Sequence, residues 1–512
     1  MKSWRQPGAG GDETVATAAD RVLVVALNGQ PVGRVAMDRH GRLRFTYEES
    51  WRSFDGAFPL SLSMPLAAAE HGHAVVDAYL AGLLPDREQI LDSWARRFQA
   101  SRNPFALLSH VGEDCAGAFQ FLRPERLDEI QKQPASLSQV RWLTEDEIGE
   151  RLKTLRSDPA AWRCESDTGQ FSLGGAQAKT SLLLDQGRWG VPEGRIPTTH
   201  ILKPSIPGFD GHEFNEHVCL ELARALGLPV ADSEVRRFGA ETAVVLKRFD
   251  RATTSDLAAG AAAAAAGAAA AAAASAASRE PAATARMATA AANAAEAAAR
   301  ADSLGKLAAT TPILRLHQED LCQALGVAPR QKYQSEGGPG PREVVDMLRT
   351  HSSDPEADVW TFVDALSFNW LIGGTDAHAK NFAILHGGGG RVRLAPLYDL
   401  GSILPYDDRV TDRLKLSMKV GGTYRLREVD LREWRRAANE LGLRPEEALG
   451  RIAAMCTALP GKLDEVIAAV RAHGIEHPIL ERMAERLSDR ARGCSRSLEE
   501  NPPPMIMTRR LR

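Results

Sequence analysis

The stretch GGTDAHAKNF, residues 373–382, contains an aspartate, a histidine, a lysine and an asparagine within six positions. Asp376 and Asn381 have the D-x-x-x-x-N spacing of a kinase catalytic loop, and Asp399 follows in LAPLYDL. Phosphoryl transfer needs a base close to the acceptor hydroxyl and oxygen ligands for Mg²⁺. These three side chains can supply both.

Each residue of this motif also has an ordinary structural interpretation. The D-x-x-x-x-N spacing is weak evidence by itself, and Asp376, which follows GGT, could be the N-cap of a helix. His378 could serve only as a hydrogen-bonding partner, since histidine has many such roles. Lys380 could approach a phosphate or simply be exposed. The motif therefore gains meaning only from features elsewhere in the chain.

The first such feature is SLGGAQAKTS, residues 172–181, which lies between two β-like segments. A Gly-rich turn at this place can fold over phosphates. It is not a Walker A loop, because Ala178 precedes Lys179 where glycine is required and Leu173 replaces the first glycine. A plain hairpin turn is the alternative.

The second feature is Lys203, on the apolar strand THILKPS. A strand lysine can pair with nucleotide phosphates when a helix carboxylate orients it, and Glu216 is the candidate partner, with Glu221 as the second choice. The alternative is an edge-strand lysine facing water. VVLKRFDR, residues 244–251, is placed like the hinge between two kinase lobes. The order of all these features predicts a kinase-type site that binds ATP and Mg²⁺.

Length and composition indicate the setting of this site. With 512 residues, two or three domains are expected, and a net charge of −3 argues against general nucleic-acid binding. The six cysteines form no C-x-x-C pair, which favours reduced thiols over a zinc site. The N-terminus lacks an apolar segment of signal-peptide type, and VLVVAL is far shorter than a membrane span. We expect a cytoplasmic protein without membrane contact.

Hydrophobic patterns divide the chain into segments. Asn28-Gly29 and His40-Gly41 predict hairpins in a small α/β domain, and VWTFVDALSFNWLIGG predicts an apolar helix that leads into the catalytic motif. The predicted segments are a disordered N-terminus (1–20), the α/β domain (21–125), a helical connector (126–165), a β-rich lobe (166–252), an insertion (253–312), a helical lobe (313–495) and a disordered tail (496–512).

The insertion is the most unusual segment in composition. Residues 258–274 are only alanine and glycine, and small residues continue to about Arg300. Alanine favours helix, but its methyl group offers little area for burial against a core. We expect a low-complexity insertion, flexible or helical, that lies outside the fold. A specific interaction role is the alternative.

Taken together, these stretches resemble the HipA family, the serine/threonine kinase toxins of bacterial type II toxin–antitoxin systems. The resemblance covers about residues 21–490 apart from the insertion. It implies an α+β, two-lobed, protein-kinase-like fold with a small N-terminal α/β domain and a mainly helical C-lobe. The stretches that carry it are VLVVALNGQPVG, FPLSLSMPL, SLGGAQAKTSLL, TTHILKPS, NEHVCLELARALGLPV, LKRFDR, QEDLCQALG, KYQSEGGPG, FNWLIGGTDAHAKNF and LAPLYDL.

The resemblance also implies a role for each site residue. Asp376 would be the catalytic base, and Asn381 and Asp399 would bind Mg²⁺. Ser172 matches a serine that family members autophosphorylate, which expels the loop and disables ATP binding; an unmodified turn hydroxyl is the alternative. A phosphate there would add nearly two negative charges beside the nucleotide phosphates. The remaining cofactor-binding residues would be Gly174, Gly175, Ala176, Gln177, Lys179, Lys203, Glu216, the hinge residues Lys247, Arg248 and Phe249, His378 and Lys380.

The family further implies partners. A small helix-turn-helix antitoxin dimer, HipB-like, binds the toxin together with operator DNA, and known substrates include aminoacyl-tRNA synthetases. Two departures stand out: the insertion directly follows the hinge, and Ala178 replaces an acidic residue common in the loop. The complete site favours an active kinase toxin. A transcriptional co-repressor with little catalysis, and a kinase for a small molecule or lipid, are the alternatives.

Overall fold

The computed structural model describes residues 21–132, 136–161, 171–253, 256, 313–406 and 413–499. The predicted disordered N-terminus and nearly all of the Ala-rich insertion lie outside these residues. The predicted tail overlaps them at 496–499, where the last helix continues to Ser497.

An N-terminal domain is built on a five-stranded antiparallel sheet with the order β4-β3-β2-β1-β5. Asn28 and Gly29 both have positive φ, 51° and 81°, which matches the right-handed twist of a tight hairpin, as predicted. The strands are β1 (Val22–Leu27), β2 (Gln30–Met37), β3 (Leu43–Tyr47), β4 (Glu70–His71) and β5 (Phe119–Leu122); the helices are α1 (Glu49–Arg52), α2 (His73–Gly82), α3 (Glu88–Arg97), α4 (Pro104–Val111) and α5 (Pro124–Lys132).

A six-stranded sheet with the order β10-β11-β9-β7-β8-β6 forms the second lobe. Its members are β6 (Arg141–Leu143), β7 (Thr180–Asp185), β8 (Arg188–Val191), β9 (His200–Pro204), β10 (Ser233–Phe238) and β11 (Glu241–Lys247), with helices α6 (Glu145–Ser157) and α7 (His212–Ala225). Residues 126–165, predicted as a helical connector, instead contribute β6 to the edge of this sheet. They also contribute α6, which buries Ile148 and Leu152 against Leu182 and Leu202. Residues 141–157 therefore pack as part of the lobe, whereas the start of the predicted connector, through Lys132, belongs to α5 of the N-terminal domain.

The C-terminal lobe is mainly helical and packs around α10, whose apolar side chains are buried on all sides. Its helices are α8 (Leu321–Ala324), α9 (Pro341–His351), α10 (Pro355–Ile372), α11 (Leu431–Glu440), α12 (Pro445–Ala472) and α13 (Pro478–Ser497). Small antiparallel sheets lie between them, formed by β13 (Ile313–Arg315), β14 (His317–Asp320), β15 (Ala383–Gly387), β16 (Arg391–Leu394), β17 (Lys415–Val420) and β18 (Thr423–Arg425). No helix in the described part of the chain is long and apolar enough to cross a membrane.

The two ends of the insertion are joined as a β-ribbon. Strand β12 (Arg251–Thr253) pairs antiparallel with β13, and Thr253 lies opposite Ile313. The described backbone on the two sides of the insertion is thus adjacent, directly after the predicted hinge.

A buried ionic cluster fastens this hinge to the N-terminal domain. Arg251 contacts Asp114 at 2.7 Å, and Arg248 contacts Asp250 at 2.8 Å. Arg315, from the returning strand, also pairs with Asp114. Burial alone would raise the pKa of Asp114, but the guanidinium groups of Arg315, Arg251 and Arg248 hold it well below its usual range. The cluster therefore joins three parts of the chain through charges that stay ionised.

Candidate active site

A cavity of about 470 Å³ lies where the second lobe, the helical lobe and the N-terminal domain meet. Nearly all residues predicted for the site line it. They are Gly174, Gly175, Ala176, Gln177, Lys179, Lys203, Glu216, Lys247, Arg248, Phe249, Asp376, His378, Lys380, Asn381 and Asp399. Ser172 is the exception and lies beneath the loop.

Lys203 connects the two lobes across this cavity. Its Nζ lies 2.6 Å from Oε1 of Glu216 and 2.8 Å from Oδ1 of Asp399. Burial acts to lower the pKa of Lys203, but the Asp399 and Glu216 carboxylates outweigh it and raise this pKa. Strand β9 lies between β11 and β7, so the alternative of a water-facing edge-strand lysine is wrong. Glu221 instead pairs with Arg224 on the same helix.

Asp399 occupies a backbone conformation that non-glycine residues rarely adopt, with φ of 57°. Such strain is common at functional sites. Its side chain is 39% exposed toward the cavity, while Lys203 anchors one carboxylate oxygen. Desolvation would raise the pKa of Asp399, but Lys203 and then Lys179 hold it well below its usual range. The carboxylate is therefore charged and open to a cation.

The D-x-x-x-x-N motif follows the buried helix α10, whose C-cap is Gly373 with φ of 65°. Asp376 then lies in a turn, and none of the described residues directly after it begins an α-helix. The alternative that Asp376 is a helix N-cap is therefore wrong. Its carboxylate, 68% exposed, accepts a 2.7 Å hydrogen bond from the hydroxyl of Tyr333. Nδ2 of Asn381 donates to the backbone oxygen of Asp376 at 2.9 Å. This bond orients the Asn381 side chain within the loop and leaves its Oδ1 available as a ligand.

Asn381 and Asp399 fit a magnesium ion. Mg²⁺ prefers oxygen ligands and is usually held by one or two protein oxygens together with substrate phosphates and water. The charged carboxylate of Asp399 and the carbonyl oxygen of Asn381 supply that donor set. Among the described residues there is no cluster of three or more His, Cys, Asp or Glu side chains that would suit a different kind of metal centre.

His378 is buried beside Asp376. Its Nε2 lies 3.9 Å from Oδ1 of Asp376, and its ring is edge-on to Tyr333 at a centroid distance of 5.0 Å. Burial, and then the positive charge of Lys332, lower the pKa of His378, so the ring is neutral near pH 7. It therefore packs the loop, and no direct role in cofactor binding follows from its contacts.

The Gly-rich loop curls around Lys179. The Nζ of this lysine donates to the backbone oxygen of Gly174 at 2.6 Å. Gly175 has φ of 102°, a backbone conformation that residues with a side chain rarely adopt, so glycine is favoured there. Burial, and then the charge of Lys203, lower the pKa of Lys179 to about 8. Residues 172–179 precede β7 without a paired strand of their own, so the hairpin alternative is wrong.

Ser172 is completely buried in this conformation. Its Oγ donates a 2.8 Å hydrogen bond to the backbone oxygen of Leu83 in the N-terminal domain. Its N–H donates to the backbone oxygen of Asp114 at 3.0 Å. The hydroxyl therefore reaches solvent only when the loop leaves this position.

Lys380 is buried, and its ammonium group already contacts protein carboxylates. Its Nζ donates to the backbone oxygen of Gly82 at 3.1 Å and lies 3.3 Å from Asp320 and 3.5 Å from Asp86. Burial acts to lower its pKa, but the carboxylates of Asp320 and Asp86 outweigh burial and raise it. Lys380 thus joins the D-x-x-x-x-N loop to the N-terminal domain where it lines the cavity.

The hinge contributes backbone and one aromatic ring. The side chain of Arg248 is held in the buried ionic cluster, and Lys247 pairs with Asp256 at 2.7 Å. The ring of Phe249 lies 5.7 Å from that of Tyr398, centroid to centroid. Phe249 and Tyr398 form an aromatic wall of the cavity, which suits a flat aromatic base.

Sequence reasoning missed four residues of the site. Asp86 comes from the N-terminal domain, Lys332 and Tyr333 from KYQSEGGPG, and Asp320 from the N-cap of α8. KYQSEGGPG was noted only as a family stretch. A charged residue and an aromatic residue a few positions before a Gly-rich stretch were the available signal.

A strand lysine paired with a helix glutamate, facing an aspartate and a D-x-x-x-x-N loop across a cleft, defines a two-lobed kinase. The HipA N-terminal domain model matches residues 23–122, and the HipA-like C-terminal domain model matches residues 171–309 and 268–463. The chain therefore belongs to the HipA family.

Individual relatives support this assignment. The chain is 34% identical to the putative kinase Y4mE of Sinorhizobium fredii over 423 residues. The match covers 83% of this chain and 86% of that protein. The chain is 25% identical over 410 residues to the serine/threonine-protein kinase toxin HipA of Shewanella oneidensis, covering 77% of this chain and 78% of that protein. The crystallised complex of Shewanella oneidensis HipA with HipB and operator DNA has the same fold, with a TM-score of 0.67 at 23% identity over 92% of this chain and 97% of that chain.

Proposed function

We propose that this protein is an ATP- and Mg²⁺-dependent serine/threonine protein kinase, and that it acts in the cytoplasm as the toxin of a toxin–antitoxin module. The observation that carries the proposal is Lys203, which contacts both Glu216 and Asp399 within 2.8 Å. A scaffold that only gripped an antitoxin would have no need for this buried arrangement beside an intact D-x-x-x-x-N loop. The substrate we propose is a protein of translation, with an aminoacyl-tRNA synthetase as the first candidate.

Each site group has a task in this reaction. Asp376 accepts the proton of the acceptor hydroxyl. The oxygen of that hydroxyl then bonds to the γ-phosphorus while the bond from this phosphorus to the leaving ADP breaks. Lys203 and Lys179 bind the phosphates, and the hinge backbone with Phe249 holds adenine. Mg²⁺, bound by Asn381 and Asp399, would neutralise charge on the phosphates. The proton thus ends on Asp376 and the phosphoryl group on the acceptor.

Autophosphorylation of Ser172 would switch this kinase off. The hydroxyl is buried against Leu83, with a hydrogen-bond distance of 2.8 Å. A phosphate carries nearly two negative charges, and its burial without a cation is strongly unfavourable. Phosphorylated Ser172 is therefore incompatible with the observed loop position, which supports displacement of the loop from the nucleotide site.

The proposed partner is a small helix-turn-helix antitoxin of HipB type, acting as a dimer. The solved relative was crystallised with HipB and operator DNA. This chain has a net charge of −3, whereas DNA-binding surfaces are basic, so operator contact would pass mainly through the antitoxin.

The test is incubation of the purified full chain with Mg-ATP, followed by phosphosite mass spectrometry. We expect phosphate on Ser172 in the wild type and none in Asp376→Asn. Asp364→Asn, which alters an ion pair with Arg451 away from the cavity lining, is the matched control and should retain activity. Failure of the wild type to bind ATP, or phosphorylation that persists in Asp376→Asn, would overturn the proposal.

A further inference from the structure

A short segment of the N-terminal domain, residues 82–86, contacts both loops of the kinase site. It joins α2 to α3 and lies at the wall of the cavity. Its position raises the question of whether the domain only packs beside the kinase lobes or helps to arrange the site.

On one side, this segment holds the Gly-rich loop. The N–H of Asp86 donates to the backbone oxygen of Gly175 at 3.1 Å, and the oxygen of Leu83 accepts from Ser172. A Cβ at Gly174 would lie 2.7 Å from the backbone oxygen of Gly82, so the two backbones approach as closely as glycine permits. The loop position is thus set by contact with residues 82–86.

On the other side, the same segment holds the catalytic loop. Oδ2 of Asp86 lies 2.7 Å from Nζ of Lys332, and its Oδ1 lies 3.5 Å from Nζ of Lys380. The residue after Lys332 is Tyr333, which bonds to Asp376. The backbone oxygen of Lys332 also accepts from the N–H of Ala379. One carboxylate therefore reaches both segments that frame the catalytic aspartate.

Charge makes this contact specific. The Asp86 side chain is only 11% exposed, and burial would raise its pKa, but Lys380 and Lys332 lower this pKa to about 2. Lys380 has a second carboxylate partner in Asp320. Neutralising Asp86 would therefore act mainly on Lys332, which would lose a charged partner at close range.

We propose that Asp86 is a positioning residue of the kinase site. It holds the Gly-rich loop through its backbone and the catalytic loop through its carboxylate, and so sets the distance between bound nucleotide and Asp376. This inference rests on the proposed kinase function. The N-terminal domain is then part of the catalytic unit, in addition to any role in partner binding.

The test compares Asp86→Asn with Asp92→Asn in the full chain. Asp92 is in the same domain, on α3, and its side chain is 47% exposed. Hydrogen exchange of the ATP-free protein should rise at residues 374–382 in Asp86→Asn, because the carboxylate that holds this loop through Lys332 and Lys380 is lost. Exchange at residues 172–180, which Asp86 holds through its backbone, and in strands β1–β3 should stay near the wild-type level. The rate of phosphate transfer should fall on the order of 10- to 100-fold, because a small displacement of reacting groups has that effect. Asp92→Asn should match the wild type.

Lys332→Met removes the other partner of the same ion pair and should reproduce the exchange pattern. Combining Lys332→Met with Asp86→Asn should raise exchange little further. Lys332→Met alone keeps the inference testable should Asp86→Asn not fold. Unchanged exchange at residues 374–382, or a rise spread evenly over the N-terminal domain, would overturn the role of Asp86. A wild-type protein that transfers no phosphate would instead refute the proposed function, and the exchange measurement would still decide the role of Asp86.

Discussion

The hydroxyl of Tyr333 donates a 2.7 Å hydrogen bond to Oδ1 of Asp376. A carboxylate that is 68% exposed can rotate unless a partner fixes it. The bond fixes Oδ1, and under the proposed function Oδ2 would face the acceptor hydroxyl. Tyr333 is itself placed by the edge-on ring of His378 and by Lys332, whose Nζ lies 5.5 Å from its ring centroid.

Tyr333→Phe should therefore slow phosphate transfer. A hydrogen bond to a charged group contributes about 1.5–3 kcal/mol, which corresponds to roughly a 10- to 100-fold lower rate if the bond is needed in the transition state. ATP affinity should change little, because Tyr333 contacts the base and not the phosphate-binding lysines. The measurement is the initial rate of phosphate transfer at saturating ATP.

Tyr424→Phe is the matched control, since it removes a hydroxyl from β18 and leaves Asp376 untouched. A Tyr333→Phe protein that transfers phosphate at the wild-type rate would show that Asp376 needs no such orientation.

The sequence was enough to predict those parts of the site that lie within a single strand, helix or loop. Lys203 lies on an apolar strand, Glu216 on an amphipathic helix, and Asp376 with Asn381 in one loop after a buried helix, so local periodicity was enough to place them. Strand β6 was missed because three residues are too few to show an alternating pattern.

The contacts between domains were beyond local patterns. Asp86 and Lys332 are far apart in the chain and meet only because α2 packs against α8 and the catalytic region. Lys380, inside the D-x-x-x-x-N motif, was predicted either to approach a phosphate or to be exposed. Its burial against Gly82 and Asp320 depends on the same packing. Side chains that join separate domains give no periodic signal in the sequence.

Glu216→Gln should impair the kinase, whereas Glu221→Gln on the same helix should not. The first change removes the charged partner that lies 2.6 Å from Lys203, while the second affects a surface pair with Arg224. Loss of one charge-assisted hydrogen bond, about 1.5–3 kcal/mol, gives a decrease in kcat/KM for ATP of roughly 10- to 100-fold. Steady-state kinetics with varied ATP would measure it. Equal activity of the two variants would contradict the assigned pair.

ATP binding should weaken as the pH rises above about 8. The pKa of Lys179 is lowered to about 8, so its ammonium group is present below this pH and is lost above it. Only the charged form attracts phosphates, and the ATP Kd should therefore increase by up to about tenfold per pH unit above the pKa. Binding would also take up a proton there, which calorimetry in buffers of different ionisation enthalpy detects.

Lys179→Arg should give a flatter profile, because a guanidinium stays charged over this range. Lys153→Arg changes an exposed lysine of α6 and should keep the wild-type pH dependence. An ATP Kd that is constant between about pH 7 and 9 in the wild type would contradict the role of Lys179.

The Ala-rich insertion should be removable without loss of ATP binding. Thr253 pairs with Ile313, so the chain positions on either side of the insertion are already adjacent. A variant in which a short Gly-Ser linker replaces residues 257–312 keeps Asp256, which pairs with Lys247 of the hinge. Since the entropy of loop closure depends only weakly on loop length, we expect a Tm within a few degrees of the wild type and an ATP Kd within about twofold.

A second variant tests the contribution of the β12–β13 ribbon separately from that of the insertion. Asp114→Asn keeps the insertion but removes the carboxylate that pairs with Arg251 and Arg315. Removing one partner from a buried ionic cluster costs about 3–5 kcal/mol, so this variant should melt well below the wild type, as measured by calorimetry. If the shortened chain loses ATP binding while Asp114→Asn retains full stability, the hinge is held by the insertion itself. We expect the opposite: the shortened chain should bind ATP and Asp114→Asn should lose stability. That result would show that the ribbon and Asp114 hold the hinge.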